Sequence, residues 1–168
     1  MRFIAFMFCI VVSFQSKGLE LDYDQIKNQT TASTAEIGLK LKDNFITKNF
    51  DVKIQCVFQG QRANERPEKT YLVFRALSHR WRFLEESERQ GLIMIDGQRL
   101  DLSPKPNYTS IIGEKFLDET LVYEVQITDI QRIARASMIG FQIGRVEGNF
   151  KGPQLAKIKK FLRELTNL

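Results

Sequence analysis

DVKIQCVFQ, residues 51–59, alternates apolar and polar side chains. Val52, Ile54, Cys56 and Phe58 share one face, and Lys53, Gln55 and Gln59 lie on the other. A repeat of two with one polar face is the pattern of an antiparallel strand that packs on a core with one side only. The polar stretch GQRANERPEK, residues 60–69, then reads as a loop. Residues 71–77 resume the alternation, with Leu72, Phe74 and Ala76 facing the core. Two such strands in succession set the class of the fold.

Outward from this pair, further elements follow the same logic. Upstream, Ile37, Leu39 and Leu41 alternate with Gly38, Lys40 and Lys42 and predict another strand. Downstream, LIMIDGQRLDL, residues 92–102, places Asp96-Gly97 between two apolar-rich runs. That pair favours a tight type I′ hairpin, because glycine tolerates the positive φ the turn requires. Residues 79–84 read as extended and 85–90 as a charged connector. Leu121, Tyr123, Val125 and Ile127 predict a strand within residues 115–128. Thr128 or Asp129 could cap a short helix carrying Ile130, Ile133 and Ala134 at helical spacing. Ile139, Phe141 and Ile143 mark a strand, the 144–148 stretch a turn, and Phe150 the return strand. Pro153 suits the first turn of a closing helix, whose apolar stripe is Leu155, Ile158, Leu162 and Leu165 with Phe161 at its border. The expected fold is α+β: a curved antiparallel sheet of six or more strands with a short helix and a C-terminal helix packed on it.

The other end of the chain points to a compartment. Arg2 precedes an apolar run, residues 3–14 (FIAFMFCIVVSF), and Ser16 and Gly18 supply small residues before a cut after Gly18. This is the layout of a signal peptide, and the run is shorter than the ~20 apolar residues a permanent span needs. Residues 1–18 are therefore expected to be cleaved, and the chain to be secreted or periplasmic with no transmembrane span. Residues 19–36, polar and rich in Thr, Gln and Asn, read as a flexible lead-in, and residues 37–168 as one domain. With Arg2 and Lys17 gone, the formal charge falls from +5 to +3, too small to demand a polyanion. No nucleic-acid partner is expected. Cys56 becomes the only cysteine, so packing rather than disulfides must stabilise the domain.

The stretch TDIQRIARASMIGFQIGRVEGNFKGPQLAKIKKFLREL, residues 128–165, resembles the C-terminal pattern of uncharacterised exported bacterial proteins. It covers about a quarter of the mature chain. The resemblance implies a bacterial envelope setting and a similar fold, and it transfers no catalytic or binding residue.

Catalytic machinery is hard to assemble from these residues, and neither a catalytic residue nor a metal ligand set nor a cofactor is expected. His79 is the only histidine, and Cys56 falls on an apolar face where a thiol stays protonated. Glu85, Glu86 and Glu88 read as a solvated charge run rather than an acid/base pair. Two surface features remain. Arg75, His79, Arg80, Trp81 and Arg82 interleave cations with an aromatic ring, a composition enriched in partner contacts; the alternative buries Trp81 beside Phe83. Lys157, Lys159, Lys160 and Arg163, within a basic segment that also holds Arg132 and Arg135, could touch an anionic surface; the alternative is an ordinary solvated helix face. The expected function is a non-catalytic binding or accessory module of the cell envelope, its partner an envelope protein or an anionic surface. A secreted hydrolase using carboxylates is the alternative.

Overall fold

The computed structural model describes residues 14–15, 19–41, 47–61, 63, 66–102 and 106–166. In chain order the strands are β1 (Phe14–Gln15), β2 (Leu19–Asp24), β3 (Gln29–Thr34), β4 (Ile37–Gly38), β5 (Lys40–Leu41), β6 (Thr47–Gln59) and β7 (Lys69–Ser78). After a 3-10 turn at Glu86–Arg89 come β8 (Gly91–Ile95), β9 (Gln98–Asp101), β10 (Asn107–Ile112) and β11 (Leu117–Val125). Helix α1 (Ile127–Arg135), β12 (Ile139–Ile143), β13 (Val146–Phe150) and helix α2 (Gly152–Leu165) complete the chain.

Antiparallel pairing dominates, as the alternation requires, and the two helices stand where the periodicity puts them. The strands divide into two sheets. The first runs β1-β2-β3-β6-β7-β11-β10, with β4 also paired to β6; the second runs β5-β13-β12-β8-β9. Val52, Ile54, Cys56 and Phe58 are all buried on one face of β6, beside Leu72, Phe74 and Ala76 of β7. Between the sheets lies an aromatic core. Phe50 stacks on Phe74 at 5.8 Å and on Phe141 at 5.6 Å, and Tyr123 meets Phe74 edge-on at 5.9 Å. Such offset and edge contacts add to burial because the ring quadrupoles are satisfied.

The 37–41 segment is where the chain changes sheets. Ile37 pairs with Val52 in the first sheet, whereas Leu41 pairs with Gly148 in the second. Leu39 is buried between them and donates its N–H to the Phe50 carbonyl at 2.8 Å. The alternation expected of one strand is thus shared between two.

Residues 19–36 do not form a flexible lead-in. They build the β2–β3 hairpin, with β3 paired to β6 from Gln29↔Gln59 to Ser33↔Gln55. Thr30, Ala32 and Thr34 are buried, and α2 packs over β2, β3 and β4. The inward face is made of small and hydroxyl-bearing residues, so it lacks apolar alternation, yet small side chains let a helix approach closely. The buried hydroxyls are satisfied: Thr30 Oγ1 donates to the Gly60 carbonyl at 2.7 Å, and Thr34 Oγ1 accepts the Ile54 N–H at 3.0 Å. The signal-peptide reading of residues 1–18 lies outside the described residues, apart from Phe14–Gln15, whose backbone pairs with Leu21 and Glu20. Among the described residues, no helix is long and apolar enough to cross a membrane.

Candidate functional site: a cationic groove between the two helices

Helix α1 forms because Ile130, Ile133 and Ala134 recur on one face and bury against the core. Its N-cap is Gln126 rather than Thr128 or Asp129, so the helix begins two to three residues earlier than the polar side chains suggest. Asp129 instead lies in the first turn and pairs with Arg132 at 3.1 Å. Arg132 also reaches Gln98 Oε1 at 3.1 Å, which ties α1 to β9.

Helix α2 starts at the Gly152-Pro153 pair. Gln154 folds back to accept the Lys151 N–H at 2.9 Å and donates to the Gly38 carbonyl at 3.0 Å. Leu155, Ile158 and Phe161 are buried, and Phe161, expected at the border of the stripe, is as fully buried as Ile158. Leu162 and Leu165 are only partly buried, because the apolar face is rotated toward the β2–β3 hairpin.

That rotation leaves Leu162 facing α1. Between the helices runs an open groove of about 690 Å³, floored by Ala134 and Leu162 and rimmed by Arg135, Lys159 and Arg163. No acid lines it. Among the described residues no ion pair engages these three cations, unlike Lys160, which pairs with Glu164 at 3.5 Å. Cations near helix C-termini offset the macrodipole, which accounts for Arg135 and Arg163 at the ends of their helices. Their convergence with Lys159 over an apolar floor is a tertiary feature that the dipole does not require. Chemically the groove offers positive charge at the rim and hydrocarbon below it, a match for an anionic surface with an apolar layer beneath.

Of the four basic residues expected to make an anionic contact, Lys159 and Arg163 line the groove, one helical turn apart. Lys157 and Lys160 point elsewhere on α2. Arg135 joins them from α1.

The other expected contact cluster does not converge. Arg75 lies on the outer face of β7 and is bracketed by acids, bonding Asp118 at 2.6 Å and Glu36 at 3.0 Å. The hydrogen bond to Asp118 raises its pKa. His79 Nδ1 is 3.1 Å from the Lys115 carbonyl, and its ring packs on Phe116 at 4.5 Å. Arg80 is exposed, Trp81 is half-buried, and Phe83 is fully buried. Arg82 turns inward: Nε and Nη2 are buried without a hydrogen-bond partner among the described residues, and burial lowers its pKa.

What holds this segment is a residue outside both expected clusters. Glu119 is fully buried on the inner face of β11. Its carboxylate accepts the Arg82 N–H at 2.8 Å, the Phe83 N–H at 3.0 Å and the Tyr108 hydroxyl at 3.0 Å. Arg89 closes the clasp, stacking over the Tyr108 ring at 4.0 Å and donating to the carbonyls of Phe83 and Leu84. Tyr123 then donates to the Arg89 carbonyl at 2.6 Å. The signal available in the sequence is an acid in phase with Leu121 and Tyr123 on an inward-facing strand.

A second cavity, of about 500 Å³, opens beside the 3-10 turn, where Ser87, Gln90, Arg99, Asp101 and Gln142 contribute polar groups. Its one carboxylate, Asp101, is paired with Arg99 at 2.6 Å, so it does not assemble the two acids that the hydrolase alternative needs. Among the described residues, no group of three or more His, Cys, Asp or Glu is placed to hold a metal ion. No family model, curated protein or solved structure matches the chain.

Proposed function

We propose that this chain is an exported, non-catalytic binding module that rests an anionic surface of the cell envelope against the groove between α1 and α2. The observation that carries the reading is the set of Arg135, Lys159 and Arg163 around Ala134 and Leu162, with no acid among the lining residues. Arg2, the apolar run of residues 3–14 and the small residues at Ser16 and Gly18 support export, which would bring the groove to that surface.

Vesicle co-sedimentation tests it. The protein should bind vesicles rich in an anionic phospholipid at low salt and should ignore vesicles of neutral lipid. Each cation near an anionic surface contributes about 1 kcal/mol, so replacing Arg135, Lys159 and Arg163 together with glutamine should weaken binding roughly a hundredfold. Lys157→Gln, off the groove, should change it little. Equal loss from both variants would show a diffuse charge effect and sink the groove reading. N-terminal sequencing of exported material should begin at Leu19.

A further inference from the structure

Each sheet has two edges, and they are not alike. In the second sheet, β5 is two residues long, and β9 is four residues long with an exposed Arg99–Asp101 ion pair. In the first sheet, β1 is two residues long and β10 is six. The β10 strand, NYTSII, carries no charged side chain, and its Ile111 and Ile112 are 69% and 74% exposed. Among the described residues β10 pairs with β11 alone. Natural edge strands are usually blunted by shortness, lysine, proline or a bulge, because an open row of N–H and C=O groups recruits another strand. Among the described residues, the other three edges are blunted by shortness or charge. β10 is not.

We infer that β10 is a homodimerisation edge, pairing antiparallel with β10 of a second copy across a two-fold axis. The strand suits its own image. With no charge in it, self-pairing opposes no like charges. The register with β11 puts Tyr108, Ser110 and Ile112 on the inner face, opposite Leu121, Glu119 and Leu117, and leaves Asn107, Thr109 and Ile111 on the outer one. A sheet that continues through the axis must keep inner residues opposite inner residues. An axis at Ser110 does so: Ser110 faces Ser110 of the partner subunit, Ile112 faces Tyr108 of the partner subunit, and Ile111 faces Thr109 of the partner subunit. Ile112, stranded in solvent in one copy, thereby gains an aromatic cross-strand neighbour. Tyr108 is only half-buried and is fixed by Glu119 and Arg89, so its ring is a preformed platform. Such isologous contacts are the commonest way homodimers form. Six paired residues bury less than the ~1,200–2,000 Å² of a standard stable interface, so the dimer is concentration-dependent.

Sedimentation velocity over a wide concentration range should show the purified protein passing from monomer to dimer. Ile112→Lys should hold it monomeric while its circular dichroism and melting temperature stay close to the parent's, since the side chain is exposed. Ser110→Cys, on the axis, should cross-link to itself on mild oxidation, because directly opposed strand residues lie within disulfide reach. A Lys157→Cys control, and the parent with its buried Cys56 alone, should not. A parent that stays monomeric at every concentration overturns the inference. So does a dimer that survives Ile112→Lys and leaves Ser110→Cys uncross-linked, since it would be built on another surface.

Discussion

Cys56 illustrates how alternation decides chemistry one side chain at a time. It is fully buried on the core face of β6, with the Thr70 hydroxyl 4.0 Å from its sulfur. Burial pushes the thiol from 9.0 up to about 11, because the thiolate has no water and no cation to stabilise it. An acid whose pKa is raised on folding contributes stability that is complete below its unfolded value and fades as pH rises through its folded value. The protein should therefore lose on the order of 2–3 kcal/mol between about pH 9 and about pH 11 from this group. Cys56→Ala should cost about 1 kcal/mol at neutral pH and flatten that alkaline limb, both readable from urea midpoints. Native Cys56 should also resist thiol reagents; labelling as fast as in the denatured chain would contradict its burial. Glu119 is a buried polar side chain of another kind, one whose oxygens are occupied by three hydrogen bonds. Glu119→Ala removes the acceptor for two backbone N–H groups and the Tyr108 hydroxyl at once, which should cost ~2–5 kcal/mol. Glu119→Gln, which turns one acceptor oxygen into a donor, should lose much of the same amount. A shift in melting temperature no larger than that of an exposed acid, such as Glu124, would show that the clasp is ornamental.

Among the elements, the turns separate strain from collision. Asp96 and Gly97 adopt φ of 47° and 82°, as the type I′ hairpin demands, and the Asp96 carboxylate caps the Ser137 and Met138 N–H groups. Nothing crowds the position of a Cβ on Gly97, so Gly97→Ala should cost only the left-handed penalty, about 1 kcal/mol. Gly144 is different. Its φ is 54°, its N–H bonds the Gln90 carbonyl at 2.8 Å, and a Cβ there would run into the Glu88 carbonyl. Gly144→Ala should cost clearly more than Gly97→Ala in the same denaturation assay, because it also pushes the 86–90 connector off the sheet. These turns, β6, β7 and β12 are legible in the sequence because their residues carry both a period and a punctuation mark, whereas β13 begins at Val146, inside the 144–148 stretch expected to turn. The β2–β3 hairpin is not, since Thr30, Ala32 and Thr34 look polar until α2 covers them. Strand β10 escapes the pattern for a related reason: its Ile111 and Ile112 adjoin each other, so no alternation announces them. The candidate groove is half legible. Lys159 and Arg163 share a helix face by their spacing, but Arg135 reaches them only through the packing of α1 on α2. The cluster around Trp81 shows the converse, where neighbours in sequence just past the end of β7 meet different surroundings: Arg80 is exposed, Trp81 is half-buried and two Arg82 nitrogens are buried.

At the scale of the whole molecule, the chain's last helix covers its first described hairpin, and that closure sets how the fold should fail. Helix α2 packs on β2, β3 and β4, and Gln154 reaches the Gly38 carbonyl, 116 positions away in sequence. A helix of 14 residues is marginal alone in water, so α2 persists because Leu155, Ile158 and Phe161 are buried. The dependence runs both ways: without α2, the small side chains of β3 have nothing to shield the hydrogen bonds around them. Phe161 is 1% exposed, so Phe161→Ala should cost ~3–5 kcal/mol. The loss should not spread evenly. In the parent, amides of residues 19–34 should exchange as slowly as those of β7 and β11, since all open together. In Phe161→Ala, exchange of residues 19–34 should quicken by more than that of β7 and β11, as the hairpin becomes a separately opening unit. Deleting residues 153–168 carries the same step to its end and should leave a chain that aggregates, because the uncovered face borders the Ala32–Cys56 pairing at the centre of the first sheet. A truncated chain that stayed soluble and fully folded would refute the helix's role outright. If Phe161→Ala instead accelerates exchange equally in β2, β3, β7 and β11, the hairpin is held by its ladder to β6 and not by the helix above it.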